Sequence, residues 1–449
     1  MTECATGRYC FASGAGLPLE AGFDGGRVTS DGGLPWLAEA EAATGICAAF
    51  AAQIRDWRRP GRVRHSLETL VRQRVFQIAC GYEDQNDANT LRHDPLLKWV
   101  CDRLPDSDPD LASQPTLSRL ENAVDRKACY RLAVALVNNY MRQRQRGRPP
   151  KHILLDLDST ADATYGEQEG TAYHGYYNQH MYHPLLIFDG DTDQLIMAVL
   201  RPGNAHASHG AIAVLRRLVR LLRQRWAGVT IEVRADSGFA MPSLYQFCED
   251  HGIGYTIGLV TNPRLEAVAA PLLAQAQQQR AASDAQKVRL AGEALYQADS
   301  WPSPRRVVFK AEALPKGPNT RFVVTNRTDP PLALYNWYVE RGEPEQWIKD
   351  LKLACFADRL SCHRFQANQF RLLLHAAAYW LLDTLRRWLL EAGVLPMQLD
   401  SLRLRLLKIG GLVRQLLTRV RLRLATSHPG EPLYLALATH RQRFVNNPG

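Results

Sequence analysis

The sequence predicts an α/β fold with a mixed sheet, interrupted by a β-rich insertion and preceded by a helical N-terminal domain. Three observations predict it: helix-period segments up to about residue 146, then short apolar strands alternating with helices, then a second strand-rich stretch between residues 287 and 326. In the first part, helices are expected over Pro35 to Phe50, Leu67 to Cys80, Leu97 to Arg103, Thr116 to Asn122 and Arg126 to about Arg146, with turn clusters such as PDSDPD between them. Gly147, Pro149 and Pro150 stop the last helix.

Strands follow at Ile153 to Asp158, Pro184 to Phe188, Leu195 to Leu200 and Thr230 to Arg234, each bounded by Gly, Asp or Pro. A basic amphipathic helix, Ala211 to Trp226, separates the third strand from the fourth. A helix over Pro242 to Asp250 and a strand over Gly254 to Leu259 come next. Three adjacent strands, then helix, strand, helix and strand, describe an α/β layer with a mixed sheet. An alanine- and glutamine-rich helix at 263–285 leads into the segments VRLAGEALY, RRVVFKAEAL and RFVVTN, which read as an inserted β subdomain. Helices resume at Leu334 to Leu353 and Gln366 to Leu390. The expected organisation is therefore a helical N-terminal domain at 1–150, a core at 151–262 and 331–395, an insertion at 263–330 and a basic region at 396–449.

Length and composition are consistent with this. The 449 residues, 46% hydrophobic and 22% charged, suffice for a packed core and exclude a disordered or collagenous chain. The longest apolar stretch, Leu372 to Leu382, is fenced by Arg371 and Asp383 and is too short for a membrane span. The N-terminus has no basic leader or cleavage pattern, so a cytoplasmic protein is expected. Nine scattered cysteines without a CxxC pair suit reduced thiols.

The net charge of +10 has a location. From Leu351 to Gly449 there are 15 Lys and Arg against 5 Asp and Glu, which leaves the first 350 residues balanced at 40 against 40. A polyanion partner favours such asymmetry, because each neutralised phosphate releases counterions. A solvated basic surface is the alternative.

Chemistry is concentrated in three acidic positions. The first strand ends in LDLDST and places Asp158 at its C-terminal end, with Asp156 as a possible substitute two residues earlier. The fourth strand runs into RADSGF and places Asp236 at a comparable end. Strand-end aspartates are usually turn formers and caps. The third element shifts that balance. Tyr338, Arg341, Glu345 and Lys352 lie at offsets 0, 3, 7 and 14, which fall within a sector of about 60° on an ideal helix. Gly342 and Pro344 interrupt that stripe; the alternative is a helix that starts near Glu343 and leaves Tyr338 and Arg341 on a preceding turn. Carboxylates from two strands and one helix suit a two-metal phosphoryl-transfer site, since Mg²⁺ takes one or two carboxylates and fills its shell with water and phosphate oxygens.

On these residues the chain resembles the bacterial insertion-sequence DDE transposases. The pattern Tyr-x2-Arg-x3-Glu-x6-Lys, filled by Tyr338, Arg341, Glu345 and Lys352, matches that group's signature. Asp158 with Thr160, and Asp236 with Gly238 and Phe239, match its two aspartate motifs. YGEQEGTAYHGYY and LRPGNAHA also look like the subfamily with a DxDST first motif. The resemblance spans about Gln114 to His428. It implies an RNase H-like core with the first Asp on strand one, the second after strand four, the Glu on a late helix, and a β-rich insertion between the last two. The 109 residues between Asp236 and Glu345, against 78 between Asp158 and Asp236, leave room for that insertion.

By resemblance, Asp158, Asp236 and Glu345 hold two Mg²⁺ ions, for which Mn²⁺ substitutes, and Tyr338, Arg341 and Lys352 contact the DNA end. The implied activity cleaves both element ends at their terminal inverted repeats and joins them to target double-stranded DNA, with a homodimer synapsing the ends. It also implies a bacterial, nucleoid-associated protein. Two competitors remain open: a metal nuclease of the same fold without joining, and a non-catalytic DNA-binding derivative.

Weaker signals complete the reading. RGRP at Arg146 to Pro149, with Arg146 and Arg148, resembles a minor-groove hook, although a basic linker is the plainer reading. SLRLRLLK and TRVRLRLA alternate apolar residues with arginine; as paired strands they would line Arg403, Arg405, Arg421 and Arg423 on one phosphate-binding face. Some relatives stack an aromatic on a flipped base, and Trp301 lies in the expected insertion, where an ordinary packed tryptophan is favoured. His174, His180, His183, His206 and His209 form two clusters that match no common zinc spacing. Gln114 to Asn122 is compatible with a helix-turn-helix or with plain helical packing.

Overall fold

The computed structural model describes residues 2–5, 8–11, 17–145, 148–283 and 285–446. The chain divides into two compact units, one of residues 1–120 and 377–449 and one of residues 121–376. Among the described residues no helix is long and apolar enough to cross a membrane.

The first unit begins with an unforeseen three-stranded antiparallel sheet, Thr2–Ala5, Arg8–Phe11 and Leu19–Gly22. Cys10 within it is disulfide-bonded, which departs from the reduced thiols expected throughout. Antiparallel pairing lays 2–5 against 8–11, a proximity that spacing rules for disulfide frameworks do not capture. Helices Leu34–Thr44, Ile46–Ala51, Leu67–Ala79 and Pro95–Val100 follow. The single helix expected over 35–50 is split at Gly45, whose φ of 62° is left-handed. The buried Glu41 carboxylate then accepts from Cys47 N at 3.0 Å and Ala48 N at 3.2 Å, capping the second helix.

The C-terminal stretch differs from expectation. Residues 399–407 are helical, with Arg403–Leu407 a π-turn, so Arg403 and Arg405 do not lie on a strand face. Leu402, Leu406 and Leu407 are buried at helical spacing, and a short arginine–leucine run fits either period. Arg421 and Arg423 do lie on a strand, Val420–Leu424, with both side chains exposed. Its antiparallel neighbour is Gly411–Gln415, where Arg414 opposes Arg421.

The second unit opens with α1 (Arg126–Arg144), a helix that the expected 1–150 domain would include. It belongs with the sheet because Tyr140 Oη and Arg144 Nε donate to the buried Asp189 carboxylate at 2.7 and 3.0 Å. The core strands are β1 (His152–Ser159), β2 (Leu185–Asp189) and β3 (Gln194–Val199). Next come α2 (Ala211–Arg225), β4 (Thr230–Ala235), α3 (Pro242–Asp250) and β5 (Gly254–Leu259). Then follow α4 (Pro263–Ala281), β6 (Val288–Tyr296), β7 (Arg305–Leu314) and β8 (Gly317–Thr325). Helices α5 (Pro331–Val339) and α6 (Glu343–Cys355) and the first part of α7 (Phe365–Glu391) close the set.

One eight-stranded mixed sheet runs β3-β2-β1-β4-β5-β8-β7-β6. Strands β1, β4 and β5 are parallel neighbours, and β2 is antiparallel to both β1 and β3. Six successive residues of β1, Ile153 to Asp158, are buried, as a central strand covered on both faces requires. The stretch read as an inserted subdomain does not form a sheet of its own. Strand β8 pairs antiparallel with β5 from Thr256↔Thr325 to Leu259↔Phe322, so the insertion extends the main sheet. The outer edge of β5 would otherwise present unpaired backbone groups. Trp301 is packed inside this region, edge-on to Tyr245 and Tyr296 with the Arg305 guanidinium over its ring.

Candidate active site

The site begins with strand register. Strands β1 and β4 pair with Leu157 opposite Ala235, so the next residues, Asp158 still within β1 and Asp236 just past β4, lie at the same end of neighbouring strands. The 78-residue separation seen in the sequence is this register offset.

The two aspartates of β1 have different employment. Asp156 is 1% exposed and bound bidentately by Arg234 of β4, with Nε and Nη2 each 2.7 Å from a carboxylate oxygen. Burial pushes the Asp156 pKa up and Arg234 opposes that push. Arg234 also donates to the Trp337 carbonyl at 2.8 Å and stacks on the Trp337 ring. Asp156 is thereby committed to the core. Asp158 accepts from its neighbour Ser159 N through Oδ1 at 2.8 Å and presents Oδ2 to Arg341 at 2.9 Å.

Asp236 serves two directions at once. Its Oδ1 caps the 3₁₀ turn Ser237–Phe239 by accepting from Gly238 N at 2.8 Å, the ordinary duty of a strand-end aspartate. Its Oδ2 lies 3.7 Å from Arg341 Nη2.

The third element has the broken form that Gly342 and Pro344 allow. Helix α5 ends at Val339, a 3₁₀ turn covers Glu340–Gly342, and α6 starts at Glu343 with Pro344 in its first turn. Tyr338 closes α5, Arg341 sits on the turn and Glu345 lies in the first turn of α6. Arg341 Nη1 is 3.3 Å from Glu345 Oε1. One guanidinium therefore contacts all three acids, Asp158, Asp236 and Glu345.

Electrostatics follow from depth. Asp158 is 6% exposed, and burial pushes its pKa up to about 6, against the pull of Arg341 and with a further push from Asp236. Glu345 has 70% of its side chain exposed, so the cluster opens toward solvent on that side. Among the described residues no three acid, histidine or cysteine side chains stand close enough to hold a metal as arranged. The donor chemistry nevertheless fits a hard divalent cation: three carboxylates with the Arg341 positive charge in the space they share.

Lys352 is tied elsewhere. Its Nζ donates to the Ala161 carbonyl at 2.7 Å and pairs with the buried Asp162 at 3.0 Å, bracing the segment that follows β1. Arg148 is exposed in the linker before β1, and Arg146 lies outside the described residues.

Two residues that support the site carry only faint signals in the sequence. Arg234 could have been found as a lone cation inside an apolar parallel strand, matched by Asp156 inside another. Gly258 could have been found as a glycine in a strand interior. A Cβ there would lie 2.6 Å from Tyr338 Oη and 2.9 Å from Ser237 N. Tyr338 Oη itself donates to the Ala235 carbonyl at 3.2 Å, next to Asp236. Gly258→Ala is therefore expected to displace the turn bearing Asp236 and to destabilise the protein by about 1–3 kcal/mol. Urea unfolding together with a DNA-cleavage assay checks this, and wild-type values in both would contradict it.

A family profile described as transposase DDE domain group 1 matches residues 11–445. No curated protein matches the chain. Among solved structures, the piggyBac transposase synaptic complex with hairpin DNA is similar at 11% identity and a TM-score of 0.44, over 85% of this chain and 80% of that one.

Proposed function

The chain belongs to the transposases of DDE domain group 1, and from that premise we propose that it cuts the ends of an insertion sequence and joins them to target DNA. The finer placement, among the bacterial insertion-sequence enzymes with the Tyr-x2-Arg-x3-Glu-x6-Lys signature, is part of this proposal. So are the RNase H-like character of the core, a helical N-terminal end-recognition domain, a homodimeric synapse and residence in the bacterial cytoplasm. The strand order β3-β2-β1-β4-β5, with β2 antiparallel and β1, β4 and β5 parallel, supports the RNase H-like reading.

The observation that carries the proposal is the meeting of Asp158, Asp236 and Glu345 on one guanidinium. These three carboxylates would hold Mg²⁺, which when bound supplies Lewis-acid polarisation of the phosphate and activation of the attacking oxygen. Asp236 is preset for this role, since one oxygen is consumed by the Gly238 cap and the other is left for the site. Arg341 is the resident counter-ion. It offsets the mutual repulsion of the acids and has its own Nε buried without a partner. On release from the carboxylates it can bind a DNA phosphate, to which guanidinium geometry is suited. Tyr338 fixes the turn between α5 and α6 against the end of β4. Lys352 braces the strand end of Asp158 from the helix of Glu345, so it is proposed as a positioning residue first and a DNA contact second. Arg146, Arg148, Arg403, Arg405, Arg421 and Arg423 remain proposed phosphate contacts.

The test is a labelled duplex carrying an element end, incubated with Mg²⁺ and a target plasmid. Joined product is expected. Nicking without joining would favour the nuclease, and binding without any cleavage would favour the non-catalytic derivative.

A further inference from the structure

Between β1 and β2 the chain leaves the main sheet and builds a small one from Asp162–Ala163, Ala172–His174 and Gln179–Tyr182. Both feet of this excursion stand beside Asp158. Asp158 pairs with Leu186 and Ser159 with Leu185, and Thr160 N donates to the Pro184 carbonyl at 3.3 Å. The Lys352 contacts to Ala161 and Asp162 tie the first foot to α6, the helix of Glu345.

A row of rings runs outward from the second foot of the excursion, where His183 precedes Pro184. His183 is 3% exposed, and its Nδ1 meets the Ala205 carbonyl at 2.7 Å, which sets it as the donor. The His174 and Tyr177 rings pack against it at 5.1 and 5.8 Å and against each other at 5.1 Å. Tyr176 then stands perpendicular to Tyr177, with centroids 5.0 Å apart. Exposure climbs outward along the row, from buried His183 through Tyr177 at 37% to Tyr176 at 86%. Asn178, with φ 52°, makes the tight turn after the two tyrosines, and its N–H returns to the His174 carbonyl at 2.8 Å. The inner end of the row reaches toward the second aspartate as well. Beyond Ala205, which holds His183, Ala207 sits within 2.8 Å of where a Cβ on Gly238 would be, at the turn capped by Asp236. The Tyr177 phenol feels the charges of both Asp158 and Asp236.

We propose that the Tyr176–Tyr177 pair is a stacking platform for an unpaired nucleobase of the DNA strand held at the Asp158–Asp236–Glu345 site. This rests on the transposase reading and adds the residues that would hold a base beside the cleaved bond. The chemistry favours a base over a phosphate or an acidic peptide. Residues 165–183 contain no Lys or Arg and only two acids, Glu167 and Glu169, so the excursion offers ring faces rather than positive charge. Aromatic faces accept any base, because every base has a π-face. The buried His183 end keeps the row fixed, so little ordering is lost when a base settles on the outermost ring.

The test uses the full-length protein and a short duplex ending in unpaired nucleotides, one of them replaced by 2-aminopurine. Wild type is expected to quench its fluorescence on binding. Tyr176→Ala should lose the quench and bind this probe about tenfold more weakly, while Tyr176→Phe keeps both. A fully paired duplex should bind wild type and Tyr176→Ala alike. Because Tyr176 is so exposed, its removal leaves the fold intact, and circular dichroism confirms that; Tyr177→Ala provides a second variant one ring further in. Absence of quenching by wild type, or undiminished quenching by both alanine variants, overturns the platform. The end-joining assay judges the underlying reading separately. Tyr176-dependent quenching with no joining by wild type would leave the platform standing and the transposase reading refuted, and joining with quenching indifferent to Tyr176 and Tyr177 would do the reverse.

Discussion

Asp236→Asn is expected to abolish cleavage of an element end while leaving DNA binding nearly unchanged. The local structure explains why the two effects separate. The Oδ1 atom accepts from Gly238 N and shapes the turn after β4, and an asparagine carbonyl oxygen retains that acceptor. What the substitution removes is the negative charge of Oδ2, which lies 3.7 Å from Arg341. On the proposed reading, in which the three carboxylates hold metal for phosphoryl transfer, loss of one of them predicts a rate loss on the order of a thousandfold. Binding is dominated by phosphate neutralisation, so the slope of affinity against salt concentration should match wild type. Asp158→Asn should behave alike, since its Oδ1 also serves the backbone and its Oδ2 serves the site. Single-turnover cleavage and salt-dependent binding measure both halves, and near-wild-type cleavage by either variant would remove that residue from the site.

Arg234→Ala is expected to be the most damaging substitution in the second unit that does not touch the three acids. Arg234 is wholly buried and Asp156 nearly so, and two hydrogen bonds of 2.7 Å join them between the central strands β4 and β1. Removing one member leaves the other charge stranded in the core, which costs about 3–5 kcal/mol, against a typical total stability of about 5–15 kcal/mol. The variant also frees the Trp337 carbonyl, just before the turn that carries Arg341. The expected readouts are a lower urea midpoint and poor soluble yield. The double variant Arg234→Met with Asp156→Leu should recover most of that stability, because no charge is then left unpaired. If Arg234→Ala unfolds at the wild-type urea concentration, the pair is not what holds the strand ends together.

The legible parts of this molecule were those set by local periodicity. Strand β1 reads from its apolar run, α2 from its amphipathic arginines, and the order of strands and helices from the turn residues between them. Asp158, Asp236 and Glu345, which the structure brings onto Arg341, stand out in the sequence because the two aspartates lie at strand ends and the glutamate in the first turn of a helix. What escaped depends on register and on long-range pairing. That Asp156 belongs to Arg234 and Asp158 to Arg341 follows from Asp156 standing opposite Arg234 across β1 and β4, which no single segment encodes. The attachment of β8 to β5 is likewise invisible in a strand-rich stretch that could equally have folded on itself. The 401–408 segment failed for a different reason: alternating arginine and leucine over so few residues satisfies both the strand and the helix period, and burial of Leu402, Leu406 and Leu407 selects the helix. Lys352 was assigned by its place in a motif, whereas its amine is engaged by Ala161 and Asp162.

The claim on which the rest depends is that Asp158, Asp236 and Glu345 bind divalent metal in competition with Arg341. Titration of the full-length protein with Mn²⁺, followed by the electron paramagnetic resonance signal of the free ion, tests it without recourse to activity. Wild type should take up Mn²⁺, and Asp158→Asn, Asp236→Asn and Glu345→Gln should each weaken uptake by at least about tenfold. Arg341→Gln should strengthen uptake, since a positive charge leaves the space between the acids. Folded carboxylate variants that bind Mn²⁺ as wild type does would contradict the account.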